Sequence, residues 1–150
     1  MAIFKLLHIL SIVIWVGGMF FAYMVLRPSA AEILQPPERL KLWDSVFSRF
    51  FKWVWLAVVL VLASGLFMIM IFGGMAVVPR YIHAMLLLGI VMALIFAYVF
   101  FSCYKILSRM VAAQEWQGAG EMLAKIRKLV ALNLGIGLLT IAVAILGRMI

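Results

Sequence analysis

Four uncharged apolar stretches, residues 6–26, 53–72, 81–104 and 129–147, constrain this chain more than any other feature. Each stretch is about the 20 residues that a helix needs to cross the hydrocarbon core of a bilayer. In lipid the backbone N–H and C=O groups must be bonded within their own segment, so such stretches fold as helices. Hydrophobic residues make up 69% of the chain, which no water-soluble domain sustains. We predict an all-α integral membrane protein, an up-down four-helix bundle.

The chain is predicted to form a single transmembrane domain over residues 1–150, with helices at about 3–26, 38–72, 80–108 and 124–148. Pro28 and the pair Pro36-Pro37 are expected to break the chain after the first span. The first apolar run is too long for a signal peptide, so we expect it to be retained as a helix. Residues 38–50 are predicted to be an amphipathic cytoplasmic extension whose apolar face carries Leu40, Trp43, Val46, Phe47 and Phe50.

Basic residues predict the orientation in the membrane. The net charge is +8, and ten of the thirteen Lys and Arg residues fall between the first and second spans or between the third and fourth. The positive-inside rule places both of these segments in the cytoplasm and both termini in the periplasm, as expected for a multi-pass protein of the bacterial inner membrane. The basic residues form no nucleic-acid-binding module, so we predict no nucleic-acid partner. The lipid bilayer is the predicted surrounding.

Only two histidines occur, and each lies near the start of a predicted span: His8 in the first helix and His83 in the third. The first and third helices of an up-down bundle run in the same direction, so we expect both imidazoles at one depth near the outer surface, facing each other. A lone membrane histidine can simply hydrogen-bond to a neighbouring helix. Two at one depth favour a ligand role, since intramembrane ionisable groups usually mark function.

The side of the first helix that carries His8 is predicted to face the bundle interior. Ser11, Trp15, Gly18 and Ala22 share that side. Their small side chains, together with one mid-membrane tryptophan, differ from the Leu, Val and Ile typical of a lipid-facing side. Gly17 and Gly18 are expected to open the bundle enough to admit a flat macrocycle.

Haem b is the main hypothesis for the ligand, because two neutral imidazoles satisfy both axial positions of a six-coordinate haem. The chain would then be a cytochrome b-like protein that transfers electrons near the periplasmic face. Arg80, with Lys5 and Arg148, would bind the haem propionates, and Tyr81 would add a hydrogen bond. The sequence leaves open whether a redox protein or a quinone is the partner, and whether the chain forms a homo-oligomer.

Copper is the alternative ligand, with His8, His83 and Met85 as the predicted metal site. Soft thioethers in the predicted outer half could pass Cu(I), although methionines also fill helix interfaces routinely. These methionines are Met68, Met70, Met75, Met85 and Met149. A structural or assembly subunit that binds a partner through residues 38–50 is a third hypothesis. Hydrolase and kinase chemistry have no support, because the sequence shows no nucleophile motif, phosphate loop or acid pair. No catalytic residue is predicted.

The first helix resembles that of two related groups of bacterial membrane proteins. His8 is followed by Trp15-Val16-Gly17-Gly18, a His-x6-Trp-x-Gly-Gly pattern similar to the first helix of the copper-resistance D (CopD) family and of HemJ-type protoporphyrinogen oxidases. Arg49-Phe50 leading to Ser64-Gly65 in the second span, and Tyr81-Ile82-His83 in the third, continue the likeness.

The resemblance implies a four-helix unit with two different functions in its two branches. The HemJ branch implies b-type haem, and the CopD branch implies copper uptake from the periplasm. HemJ-like proteins carry a lysine two residues after the histidine of the third helix, whereas this chain has Met85 there. That departure argues against protoporphyrinogen oxidation. It leaves haem binding through His8, His83 or Met85 as an expectation.

Overall fold

The computed structural model describes residues 1–149, which are helical and contain no strand. Four helices are long and apolar enough to cross a membrane: α1 (Ala2–Ile33), α2 (Pro36–Ile71), α3 (Arg80–Ala112) and α4 (Trp116–Leu146). The predicted all-α membrane bundle is therefore confirmed. Large apolar side chains such as Ile9, Val13, Leu87 and Leu94 are exposed on its outside. They contact lipid, in which they need no protein cover.

α1 passes through Pro28, where the sequence predicted a break. A proline ring inside a helix clashes with the carbonyl four residues earlier and removes one backbone N–H donor. The preceding segment, Ala22–Leu26, is a π-helical turn, and the last segment of the helix, Arg27–Ile33, then begins with the proline in its first turn. The wider turn accommodates the ring. The break falls instead at Leu34 and Gln35, which are extended before Pro36.

The helices also extend beyond the predicted limits at the end of the bundle away from His8. α1 ends at Ile33 rather than at 26, α3 ends at Ala112 rather than at 108, and α4 begins at Trp116 rather than at about 124. Hydropathy reports where the lipid ends, but a helix continues beyond that level when its residues have good helix propensity and a neighbour to pack against.

The connections distinguish the two ends of the bundle. The arginine end is formed by Arg27, Arg39 and Arg127 and by the short connections at residues 34–35 and 113–115. The histidine end carries His8, His83 and the connection from Phe72 to Pro79. In this connection Gly73 and Gly74 have φ values of 104° and 90°, a backbone conformation that favours glycine and makes the chain turn after α2. The periplasmic position of the histidine end stays a prediction.

Neighbouring helices follow the order of the chain, as expected for an up-down bundle. α1 packs mainly along α2, and α3 mainly along α4. α4 also contacts α1 and α2 through the middle of the bundle, which places α1 and α3 across from each other. At the histidine end Phe4 stacks on Phe67 with ring centroids 4.1 Å apart, and Tyr81 packs against Gly147. His8 and His83 therefore belong to the same end.

An aromatic cluster around Phe51 fills the centre of the bundle. The Phe51 ring is 4.9 Å from Phe47, 5.2 Å from Tyr104 and 5.4 Å from Phe96, measured between centroids. Trp15 of α1 reaches the same cluster through an edge contact of 6.3 Å with Phe96. Such aromatic pairs contribute about 0.5–1.5 kcal/mol each beyond the area they bury. The cluster thus joins α1, α2 and α3.

The apolar face of residues 38–50 is buried against other helices of the bundle. Leu40, Trp43 and Phe47 are only 4–6% exposed. Phe47 contacts Tyr104 of α3, and Trp43 lines a pocket together with residues of α1 and α4. The segment is therefore amphipathic, as predicted, but its partners are the equally extended ends of α1, α3 and α4.

The adjacent glycines of α1 provide a matched test of packing. A Cβ at Gly18 would collide with the ring of Phe50, whereas a Cβ at Gly17 would meet nothing within 4 Å. We expect Gly18→Val to destabilise the bundle by about 1–3 kcal/mol through overpacking. Gly17→Val should have little effect. Thermal unfolding of the two variants in the same detergent measures both stabilities. Equal melting temperatures for the two variants would contradict this packing.

Candidate functional site

His8 is held by α2 rather than by the other histidine. Its side chain is half-buried, and its Nδ1 lies 3.1 Å from the hydroxyl oxygen of Ser64. Ser64 is itself buried, at 4% exposed, on the face of α2 that packs along α1. The contact spans 56 positions of the sequence and links the first two helices within the apolar part of the bundle.

The Ser64 hydroxyl determines which nitrogen of His8 carries the proton. The hydroxyl has one hydrogen, which it donates to the carbonyl oxygen of Leu60 at 2.5 Å. With that hydrogen on the Leu60 carbonyl, the hydroxyl oxygen accepts from His8, an arrangement in which Nδ1 is the protonated nitrogen of the imidazole. Nε2 then keeps its lone pair. A histidine whose other ring nitrogen is hydrogen-bonded in this way is prepared to bind a metal through Nε2.

Gly65 brings the imidazole close to the backbone of α2. A Cβ at Gly65 would lie 3.2 Å from Cε1 of His8, which is tighter than ordinary van der Waals contact. Glycine at this position therefore lets the ring lie against the helix while Ser64 holds its Nδ1. The Ser64-Gly65 pair thus sets both the orientation and the distance of the imidazole.

His83 is at the same end of the bundle but in a different environment. Its side chain is exposed, and its Nδ1 lies 3.3 Å from the carbonyl oxygen of Pro79, at the start of its own helix. A carbonyl only accepts, so Nδ1 carries the proton here too and Nε2 is free. Within residues 1–149 no hydrogen bond joins His83 to His8. The structure brings the two imidazoles to one end without pairing them.

The remaining predicted site residues fall into two groups. Arg80 is exposed, and Tyr81 and Met85 are half-buried, all in the first turns of α3 near His83. Trp15 and Gly18 lie deeper in α1. Trp15 is 3% exposed, and the ring of Phe50 occupies the space beside Gly18. The predicted interior side of α1 is confirmed, since Ser11, Trp15 and Ala22 are all buried.

Comparison with known proteins identifies one family. The sequence model of the family described as Copper resistance protein D matches residues 44–146, about two thirds of the chain. The chain belongs to the CopD family. No curated protein and no solved structure matches it. CopD proteins are multi-pass proteins of the inner membrane, and the four long apolar helices are of that kind.

The CopD match covers the whole of α3 and α4 and most of α2, and therefore includes Ser64, His83 and Met85. It begins at Asp44, after the whole of α1. The His-Trp-Gly-Gly pattern of α1, which resembles the first helix of the family, is thus outside the matched residues. His8 is connected to the matched part by its hydrogen bond to Ser64.

The residues of this CopD chain do not fit a haem held between His8 and His83. Neither histidine lines the cavity of about 290 Å³ at the arginine end or the cavity of about 20 Å³ in the middle of the bundle. The ring of Phe50 occupies the space beside Gly18 that the macrocycle was expected to use. His83 is exposed, and His8 is directed to α2. The family match supports copper handling instead, and the haem b interpretation has no support.

Asn133 is a buried polar residue that the sequence interpretation overlooked. It lies in α4, is 3% exposed, and donates from Nδ2 to the carbonyl oxygen of Met92 at 3.3 Å. Its Oδ1 is buried without a partner among the described residues, and the residue lines the cavity of about 20 Å³, a space for one water molecule. It is the only asparagine of the chain and lies within an uncharged stretch. A search for amides as well as charges would have found it.

The proton position of His8 can be measured directly. We expect ¹⁵N NMR of histidine-labelled protein at neutral pH to show both rings protonated at Nδ1. Ser64→Ala removes the acceptor at His8 and should mix its two tautomers. His83 serves as the internal control, because its Nδ1 partner is the Pro79 carbonyl. An Nε2-protonated His8 in the unchanged protein, or a signal indifferent to Ser64→Ala, would show that Ser64 does not set the tautomer.

Proposed function

We propose that this CopD protein binds copper ions within the membrane at His8 and takes part in copper uptake or copper tolerance. The observation that carries the proposal is the free Nε2 of a half-buried imidazole, oriented by Ser64, in a chain of the copper-resistance family. Copper is the substrate here and passes through the site. His83 and Met85, in the first turns of α3, are proposed as further ligands at the same end.

Donor chemistry supports copper over harder cations. Imidazole nitrogen suits copper and other late transition metals, and thioether sulfur selects Cu(I). Calcium and magnesium require oxygen ligands, usually carboxylates. Within residues 1–149 no three His, Cys, Asp or Glu side chains come together as a metal cluster. The proposed site therefore consists of an imidazole with methionine sulfurs, a donor set that needs no such cluster.

Methionines of α2 and of the following connection provide a route towards His8. Met75 is exposed in the connection after α2, and Met68 is half-buried one turn from Ser64 on the same face of α2. We infer that Cu(I) reaches Met75 first, then Met68, and then His8. Each step moves the ion from the surface towards the bundle, from thioether sulfur, which selects Cu(I), to imidazole nitrogen, which also binds copper.

Copper binding by the purified protein tests the role of His8. His8→Ala should weaken the Cu(I) affinity at least tenfold, measured by competition with a Cu(I) chelator. Ser64→Ala, which keeps the imidazole but removes its orienting partner, should weaken it by about 10–100-fold. Ile9→Ala is the matched control, because Ile9 is the next residue of α1 and is 58% exposed. Equal affinities for His8→Ala and Ile9→Ala would rule out His8 as a ligand.

Cellular copper tests whether binding leads to transport. Cells that express the chain should accumulate more copper than cells without it, or tolerate a different copper concentration. His8→Ala should abolish the difference, while His83→Ala should reduce it because it removes one proposed ligand at the histidine end. Copper content that is the same with and without the chain would contradict the function. A sharp haem α band in the visible spectrum of purified protein, lost in His8→Ala, would restore the haem hypothesis.

A further inference from the structure

A pocket of about 290 Å³ opens between α1, α2 and α4 at the arginine end. Its lining includes one arginine from each of these helices: Arg27, Arg39 and Arg127. The three residues are 12 or more positions apart in sequence, so only the fold brings them together. Neither histidine is near this pocket, and copper binding makes no use of it.

The charge in this pocket is uncompensated. No acidic side chain is among its lining residues. All five acids of the chain lie at this end, and none of them lines the pocket: Glu32, Glu38, Glu115 and Glu121 are exposed, and Asp44 is half-buried. The positive-inside rule explains why arginines are found at this level of the bundle, but it does not explain their convergence on one concave site. A concave surface with several cationic groups concentrates anions.

Arg27 has the clearest unused hydrogen-bonding capacity in this pocket. Its Nε is buried and has no hydrogen-bond partner within residues 1–149. The guanidinium group lies 4.5 Å from the ring centroid of Tyr23, a cation–π contact that fixes its position but accepts no hydrogen bond. A buried charged donor left unpaired is costly. An anionic oxygen entering the pocket would satisfy it.

The rest of the lining is apolar and aromatic. Trp43 is buried and Trp116 is half-buried, and both face the pocket with Tyr23. Lys41 adds a further positive charge nearby, with its Nζ 5.6 Å from the ring centroid of Trp116. Guanidinium groups bind phosphate oxygens in pairs, and tryptophan rings favour the headgroup level of a bilayer. The combination matches an amphiphile that has an anionic phosphate and an apolar chain.

We propose that this pocket binds the headgroup of an anionic phospholipid. The phosphate would accept hydrogen bonds from Arg27, Arg39 and Arg127, and the first acyl carbons would lie against Trp43 and Trp116. The basic-residue count assigns this end to the cytoplasm, and anionic lipids are bound by basic pockets between helices on that side of a membrane. This site is separate from the proposed copper site.

Lipid titration of the full chain in a neutral detergent, followed by native mass spectrometry, tests the proposal. Short-chain phosphatidylglycerol should bind at least tenfold more tightly than phosphatidylcholine with the same chains. Arg39→Gln and Arg127→Gln should each weaken phosphatidylglycerol binding by about tenfold, since each removes a charged hydrogen bond. Arg109→Gln is the matched control, because Arg109 is an exposed arginine of α3 outside the pocket.

Three results would overturn the lipid site. Equal affinity for the two phospholipids would exclude recognition of charge. Equal losses of phosphatidylglycerol affinity in Arg109→Gln and Arg127→Gln would mean that the overall positive charge of the protein attracts the lipid, and not the pocket. Inorganic phosphate that binds as tightly as phosphatidylglycerol would make this a site for the free anion. Unchanged melting temperatures without lipid would confirm that the variants are folded. Cu(I) affinity should not change in Arg127→Gln, so each of the two proposals can fail independently of the other.

Discussion

The absence of a hydrophobic driving force in lipid governs how this bundle is held together. An apolar side chain gains nothing by leaving lipid for the protein interior, so the helices associate through close packing and a few hydrogen bonds. Phe51 and its aromatic neighbours supply the packing between α2 and α3, and Trp15 brings α1 into the same cluster. Gly18 allows the ring of Phe50 to approach α1. The rest of the fold depends on these contacts, because outward-facing leucines and valines favour no particular arrangement.

Two hydrogen bonds join helices within the apolar part of the bundle. His8 and Ser64 join α1 to α2, and Asn133 joins α4 to the backbone of α3 at Met92. Each bond satisfies polar atoms that lipid cannot. Each also leaves one atom available: Oδ1 of Asn133, which has no partner among the described residues, and Nε2 of His8, since Ser64 holds Nδ1. A polar residue in a membrane bundle can thus stabilise a helix pair and present a ligand atom at the same time.

The sequence predicted the number and type of the helices because a bilayer allows only one backbone solution for such apolar stretches. It did not predict the partner of His8. The matched depth of two histidines suggested that they pair, but depth does not determine which helices are neighbours, and α2 lies beside α1. Pro28 was assigned a break because a π-helical turn leaves no clear signal in sequence. The arginine pocket was hidden for a related reason, since topology alone accounted for Arg27, Arg39 and Arg127 as isolated charges.

The unequal connections at the two ends limit how this bundle can move. Only residues 34 and 35 separate α1 from α2, and residues 113–115 separate α3 from α4, whereas α2 and α3 are joined by the longer connection from Phe72 to Pro79. The helices of each pair are therefore tethered where their connection is short. The short connection keeps α1 and α2 together at the arginine end, so these two helices can separate only at the histidine end. The hydrogen bond between His8 and Ser64 holds the two helices together at the far end, and a metal on Nε2 leaves that bond intact because Ser64 occupies only Nδ1.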